Sequence, residues 1–168
     1  GIPVLNNMRT WFFAYKELRN EDDISNLWDV FEAGINYADN PSEVSKAAFI
    51  ACYDKVRKQL GIKWNLTMGL YWIRPFSYLN LDERNRSYLL KHDSFYCERI
   101  VKISDLKQLP SAKTYLELIS VCKEMFAKSD SPQHSFPELS YAAWTTTTSE
   151  EQNKNHTSAG KVQWVGFF

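Results

Sequence analysis

The chain has 168 residues, a length that suits one domain with a core large enough to fold without disulfide or metal staples. Aromatic residues make up 15% of it, which argues against disorder, and a formal net charge of zero lowers the expectation of nucleic-acid binding. No window of the sequence approaches the roughly 18 uninterrupted apolar residues that a membrane helix needs.

The cysteines indicate a reducing compartment. Cys52, Cys97 and Cys122 are widely spaced and include no C-x-x-C pair. Their odd number and spacing exclude a disulfide framework and match no zinc-ligand pattern. Because no secretory signal peptide is recognisable either, we expect reduced thiols and a cytoplasmic location.

The first clear helix is predicted to begin after an irregular segment, residues 1–20, which we expect to be the end of a longer upstream region. Asp22 or Asp23 can cap this helix, because a carboxylate accepts hydrogen bonds from the free backbone N–H groups of the first turn. Its apolar residues recur with helical spacing, which predicts one buried face. On that basis Trp28→Ala is expected to cost about 3–5 kcal/mol. The predicted face consists of Ile24, Leu27, Trp28, Phe31 and Ile35.

Two further segments follow a turn signal at Asn40-Pro41-Ser42. A second helix is predicted from about Ser42 to Leu60, with Gly61 beyond it in the left-handed conformation. Residues 64–73 alternate like a strand, yet they are apolar enough for a buried helix. Because no convincing partner strand is available, we favour a helix that ends before Pro75.

The next helix is predicted to be capped by Asn80 or Asp82 and to end near Lys91, with its charges placed to suit the helix dipole. In this arrangement Arg84 and Arg86 are largely solvated. A last helix is predicted from Ser111 to about Lys128, with an apolar face.

These elements predict a mainly α fold, a compact helical domain of about five helices that occupies residues 21–128. The composition then shifts to Ser, Thr, Pro, Asn and Gln, which predicts a linker over 129–161. Within the linker an apolar stretch, 136–144, is expected to dock back on the helices. The closing run 162–168 is expected to be the first strand of a following module.

No motif for catalysis or metal binding is found. His92, His134 and His156 have no metal-ligand spacing among themselves or with acidic residues. Adjacent acids such as Asp22-Asp23 point about 100° apart on a helix, so they cannot act together as general acid and base. We therefore predict no catalytic residue, no metal site and no cofactor in this sequence.

Four side chains form the candidate DNA-binding set, because they lie close in sequence to large aromatics. Basic groups interleaved with aromatic rings can clamp phosphates and stack bases. The alternative is that the arginines form a solvated helix face and the aromatics lie in the core. The candidate residues are Arg74, Arg84, Asn85 and Arg86, and the neighbouring aromatics are Trp72, Phe76 and Tyr78.

Several segments together resemble the region upstream of the AAA+ motor in McrB-like proteins, the NTP-hydrolysing subunits of modification-dependent restriction systems. These segments are packing and capping motifs, and the Walker A and Walker B residues of the motor are absent from the sequence. The segments are Gly1–Asn7 (GIPVLNN), Trp11–Tyr15 (WFFAY), the helix start from Asp22 to Trp28, Lys63–Leu89, Phe136–Trp144 (FPELSYAAW) and Trp164–Gly166.

The resemblance implies that the parent protein is an AAA+ NTPase that uses GTP or ATP with Mg in a motor outside this sequence. It also implies a separate partner nuclease, and oligomerisation through the motor. For this chain it implies a non-catalytic accessory domain that contributes to DNA recognition or positioning. The alternative is a protein-interaction or spacer module that links the reader and motor domains or docks the nuclease.

Overall fold

The computed structural model of the chain describes residues 11–146. Over that range the chain forms seven α-helices and a short 3-10 turn at Lys16–Leu18, and the same range contains no β-strand. The helices are α1 (Asp23–Asp39), α2 (Glu43–Val56), α3 (Asn65–Ile73), α4 (Glu83–Leu90), α5 (Cys97–Ile103), α6 (Ala112–Phe126) and α7 (136–146).

The prediction of a mainly α domain is confirmed, but the predicted count of about five helices is wrong. Helix α5 has only seven residues, too few to show a clear periodic pattern. Helix α7 includes the predicted docking segment and begins beside Pro137, in a stretch whose composition predicts a loop. Proline is tolerated there because the first-turn N–H groups have no partner within the helix. The ambiguous segment 64–73 is helical, as favoured.

Among the first six helices, α1 and α2 pack against each other most extensively. Ser42 caps α2 through a capping box, in which the backbone N–H groups of Ser42 and Ser45 each donate to the other's Oγ at 3.0 and 3.1 Å. The helix ends at Val56 and not at Leu60. Gly61 has the predicted positive φ, +94°, in the turn that follows.

A stack of buried aromatic rings joins α1, α2 and α6 to the connection between α3 and α4. Phe49 lies 5.5 Å from Tyr78, and Tyr53 lies 5.3 Å from Tyr115, measured between ring centroids. The hydroxyl of Tyr78 donates to the carbonyl of Gly34 at 2.6 Å, and that of Tyr115 donates to the carbonyl of Leu79 at 2.7 Å. The stack therefore fixes the positions of three helices through packing and hydrogen bonds together.

The predicted buried face of α1 is wrong at two of its five positions. Leu27 is buried and Ile24 and Phe31 are half-buried, but Trp28 is 72% exposed and Ile35 is 36% exposed. Val30, which is not on the predicted face, is fully buried. The buried side of α1 also carries Asn26 and Gly34, and a Cβ on Gly34 would lie only 2.9 Å from a methyl carbon of Leu70. The close approach of α1 and α3 at Gly34 decides which side of α1 is buried. The positions of the apolar residues in the sequence do not show this approach.

None of the helices in residues 11–146 is long and apolar enough to cross a membrane. Three predictions concern residues outside this range: the irregular structure of 1–10, the linker beyond 146, and the following module at 162–168.

Candidate functional site

Arg74, the first of the DNA-binding candidates, joins the end of α3 to the end of α1. Its Nε and Nη2 atoms donate to the two carboxylate oxygens of Asp39 at 2.8 and 2.6 Å, and its Nη1 donates to the carbonyl of Ile73 at 2.8 Å. These hydrogen bonds hold the pKa of the Asp39 carboxyl below its ordinary value. The guanidinium of Arg74 is thus already used in a bidentate pair.

Arg86 is half-buried, in contrast to the solvated position expected from the sequence. Its guanidinium carbon lies 4.0 Å from the ring centroid of Trp64, and its Nε donates to the carbonyl of Leu81 at 3.1 Å. Its Nη1 donates to the carbonyl of Leu106 at 3.4 Å, and burial lowers the pKa of the Arg86 guanidinium. Arg86 therefore joins the start of α4 to the loops around it.

Asn85 is buried, with its Nδ2 donating to Asp82 at 2.9 Å and its Oδ1 accepting from Ser140 of α7 at 3.0 Å. Arg84 lies with its guanidinium carbon 5.9 Å from the ring centroid of Trp144. Within residues 11–146 no ion pair or hydrogen bond of its guanidinium is found. Three of the four candidates thus make polar contacts inside the domain, and their role in DNA binding stays a prediction.

The sequence reasoning missed an open apolar groove between α1 and α3, with a volume of about 450 Å³. The segment before α1 supplies Phe12, and the side-chain amide of Asn65 in α3 holds this segment by donating to the carbonyl of Trp11. The groove is lined by Phe12, Trp28, Phe31, Glu32, Ile35, Gly69, Trp72 and Ile73.

The aromatic rings of the groove meet edge to face. The ring centroid of Phe12 lies 6.1 Å from those of both Phe31 and Trp72, with interplanar angles of 67° and 62°. Gly69 allows this arrangement, because a Cβ at that position would lie 2.8 Å from ring carbons of Phe12 and Phe31. The result is a concave surface whose walls are ring faces and edges.

One carboxylate, that of Glu32, lines the groove. Helix α1 carries four carboxylates, contains no Lys or Arg, and faces the uncharged α3. Asp39 is paired with Arg74, and Asp23 accepts from the backbone N–H of Asn20 at 3.0 Å. The other two carboxylates, Asp29 and Glu32, are exposed and have no ion-pair partner in the described residues.

One signal in the sequence could have indicated the groove. Glu32 lies four residues after Trp28 and three before Ile35, so it falls within the apolar stripe that was expected to be buried. An unpaired carboxylate is rarely placed in a core. Its position therefore indicates that this side of α1 is open to solvent.

A smaller surface pocket of about 310 Å³ lies beside Phe76, Lys123 and His134. Although Ser135, His134 and Glu138 are neighbours, Glu138 accepts hydrogen bonds from the backbone N–H of His134 at 2.8 Å and from Ser135 Oγ at 3.1 Å. The Nδ1 atom of His134 lies 3.0 Å from the carbonyl oxygen of Phe126. These residues form the cap of α7 and not a nucleophile with its base. No group of residues in 11–146 is arranged to hold a metal ion.

The comparisons with curated proteins and with solved structures give no match. A family model described as "Domain of unknown function (DUF8425)" matches residues 1–146, which include the groove and all seven helices. The chain therefore belongs to the DUF8425 family.

Proposed function

We propose that this domain is a non-catalytic protein-docking module and that the groove between α1 and α3 is its contact surface. The observation that carries the proposal is the open aromatic groove, where Trp28 exposes 72% of its surface. Concave apolar surfaces with a few polar groups at the edge are typical of binding sites. Trp, Tyr and Phe are also the residues that protein interfaces favour over other surfaces.

The resemblance to McrB-like proteins supports a more specific setting. In that setting the module is an accessory domain of a cytoplasmic, modification-dependent DNA restriction NTPase. Its docking partner is the separate nuclease subunit or another module of the parent chain. The parent's GTP or ATP, its Mg and its oligomerisation belong to the motor.

A second candidate function is direct contact with DNA, and one observation favours it. Arg84 is half-buried beside the exposed ring of Trp144, without a hydrogen-bond partner for its guanidinium in the described residues. An arginine beside an exposed aromatic ring can contact a phosphate while the ring stacks on a base. The zero net charge and the internal contacts of Arg74 and Arg86 weigh against an extended DNA surface.

Two titrations of the full chain separate these functions. Calorimetry with the purified nuclease subunit should show binding that Trp28→Ala weakens about tenfold or more, as expected for a central aromatic contact. Tyr141→Ala is the matched control, because Tyr141 is also exposed, at 69%, but lies on α7 away from the groove.

Fluorescence anisotropy with labelled duplex and single-stranded DNA, modified and unmodified, at low and high salt provides the second measurement. Salt-sensitive DNA binding that Arg84→Glu abolishes and Trp28→Ala leaves unchanged would transfer the function to DNA recognition. If neither the nuclease subunit nor DNA bound, DNA recognition and docking of the nuclease would both be wrong, and another module of the parent chain would be the remaining partner.

A further inference from the structure

We infer that the groove between α1 and α3 binds a cationic side chain, Lys or Arg, carried by an apolar segment of the partner protein. This inference rests on the docking function proposed above and specifies the chemistry of the docked segment.

The rings of the groove are arranged to receive a cation. Phe12 is tilted by more than 60° to both Phe31 and Trp72, so ring faces point in different directions around one cavity. An ammonium or guanidinium group is attracted to the negative face of an aromatic ring, most strongly to Trp. Trp28, at the open side of the groove, adds a second indole.

The domain's own cations make this kind of contact on other rings. Arg19 lies over Phe13, Arg86 over Trp64 and Lys128 over Phe95, at 5.3, 4.0 and 5.7 Å from the ring centroids. None of these cation–ring pairs involves a ring of the groove. The rings of the groove therefore carry no cation from residues 11–146, and the ring of Trp28 is open to solvent.

The charge at the groove favours the same ligand. Glu32 lines the groove and has no ion-pair partner in the described range. No Lys or Arg of α1 or α3 opposes it. A neutral apolar ligand would leave this carboxylate without a partner, whereas an acidic ligand would be repelled by it.

The size of the groove fits a side chain together with its neighbours. A volume of about 450 Å³ lies within the range of roughly 300–1,000 Å³ that ligand pockets occupy. A Lys or Arg stem packs along apolar walls while its charged group stays near the carboxylate of Glu32. The flanking residues of the segment are then expected to contact Ile35 and Ile73, which also line the groove.

A pair of synthetic peptides tests the inference on the full chain. The probes are acetyl-Leu-Lys-Leu-amide and the same peptide with norleucine in place of lysine, which keeps the aliphatic stem and removes the charge. Binding is followed by the NMR shifts of the Trp28 and Trp72 indole N–H groups. We expect the lysine peptide to bind about tenfold more tightly, with a preference that decreases in high salt.

Two substitutions assign the preference to the groove. Glu32→Gln should reduce the difference between the two peptides, and Trp28→Ala should weaken both. Glu117→Gln is the control for charge, since Glu117 is an exposed carboxylate on α6, and Tyr141→Ala is the control for an exposed ring. Neither control should change the affinity of either peptide.

The outcomes distinguish this inference from the docking function. Equal binding of the two peptides, weakened by Trp28→Ala, would overturn the cationic ligand and leave docking in place. Failure of both peptides, with the nuclease subunit still bound in a Trp28-dependent way, would overturn the cationic ligand as well. If Trp164→Ser tightened peptide binding, the chain's own segment 162–168 would be the occupant, and the assignment to a partner protein would be wrong.

Discussion

Three tyrosines of the core place their hydroxyl groups in different surroundings. The hydroxyls of Tyr78 and Tyr115 donate to backbone carbonyls of Gly34 and Leu79. The hydroxyl of Tyr53 is buried and has no hydrogen-bond partner among residues 11–146. A buried polar group without a hydrogen-bond partner costs about 1–3 kcal/mol of stability. At the residue scale, the hydroxyl of Tyr53 is therefore expected to contribute less to stability than the hydroxyls of Tyr78 and Tyr115.

Tyr53→Phe is therefore expected to be neutral or to stabilise the fold by about 1 kcal/mol, because it removes a desolvated hydroxyl and keeps the ring. Tyr78→Phe should destabilise it by about 1 kcal/mol, because the carbonyl of Gly34 loses its donor. Urea unfolding of both variants measures the difference. A loss of stability in Tyr53→Phe as large as that in Tyr78→Phe would show that Tyr53 has a partner.

Because Trp28 is exposed, the loss of stability expected for Trp28→Ala is much smaller than the loss predicted from the sequence. Trp28→Ala should change the free energy of unfolding by less than about 1 kcal/mol, because the indole is already 72% exposed. Phe49→Ala should cost about 3–5 kcal/mol, because Phe49 is fully buried and leaves a cavity. Both values come from urea unfolding, and a cost above about 3 kcal/mol for Trp28→Ala would contradict the orientation of α1.

The arginines of α4 should differ when each is changed to glutamate. Arg86→Glu is expected to cost about 1–3 kcal/mol, because it removes hydrogen bonds to carbonyls of Leu81 and Leu106 and the contact with Trp64. Arg84→Glu, which removes only the contact with Trp144 seen here, should stay within about 0.5 kcal/mol of the unchanged chain. Thermal unfolding compares the two, and equal losses would argue against the structural role of Arg86.

At the element scale, α3 packs closely against two aromatic rings at the position of a glycine. Gly69 is buried within the helix, and the rings of Phe12 and Phe31 approach its Cα closely. Glycine inside a helix costs roughly 0.5–1 kcal/mol relative to alanine, so helix propensity alone favours a substitution here. The same residue lines the groove, which connects the packing of α3 to the proposed docking surface.

Gly69→Ala is expected to destabilise the domain by about 1–3 kcal/mol in spite of the better helix propensity, because the new Cβ would lie 2.8 Å from both rings. It should also weaken binding at the groove by displacing Phe12 and Phe31. Urea unfolding and the titration with the lysine peptide measure the two effects. A more stable variant with unchanged binding would show that the rings move aside without cost.

At the scale of the whole molecule, the stability of the fold is expected to change with pH in the alkaline range, because several tyrosine hydroxyls and the thiol of Cys122 are buried. Burial raises the pKa of Tyr96 to about 12 and that of Cys122 to about 12, and it raises the pKa values of Tyr53, Tyr78 and Tyr115 further. In the unfolded chain a tyrosine titrates near 10 and a cysteine near 8.5. The unfolded state therefore loses these protons at a lower pH than the folded state does.

Burial raises the pKa values of these groups in the folded state, so their contribution to stability is complete at pH values below their pKa in the unfolded chain. The contribution decreases as the pH rises toward about 12. The free energy of unfolding should decline steadily above about pH 9–10. Urea unfolding across this range measures the decline, and absorbance at alkaline pH reports tyrosinate. If all tyrosines ionised near pH 10 in the folded chain, the buried stack would be wrong.

The sequence by itself determined the helical class, a cap for α4 at Asn80 or Asp82, of which the structure uses Asp82, and the left-handed Gly61. These features depend on local backbone geometry and short-range hydrogen bonds. Only the tertiary structure decided which side of α1 is buried, since that depends on how closely Gly34 and Gly69 let the helices and rings approach. The same packing engaged Arg74 and Arg86 inside the domain and left Trp28 beside Glu32 at an open groove. Contacts between residues far apart in sequence have no local signature. The groove is composed of such contacts, and its one trace in the sequence is Glu32 within the apolar stripe of α1.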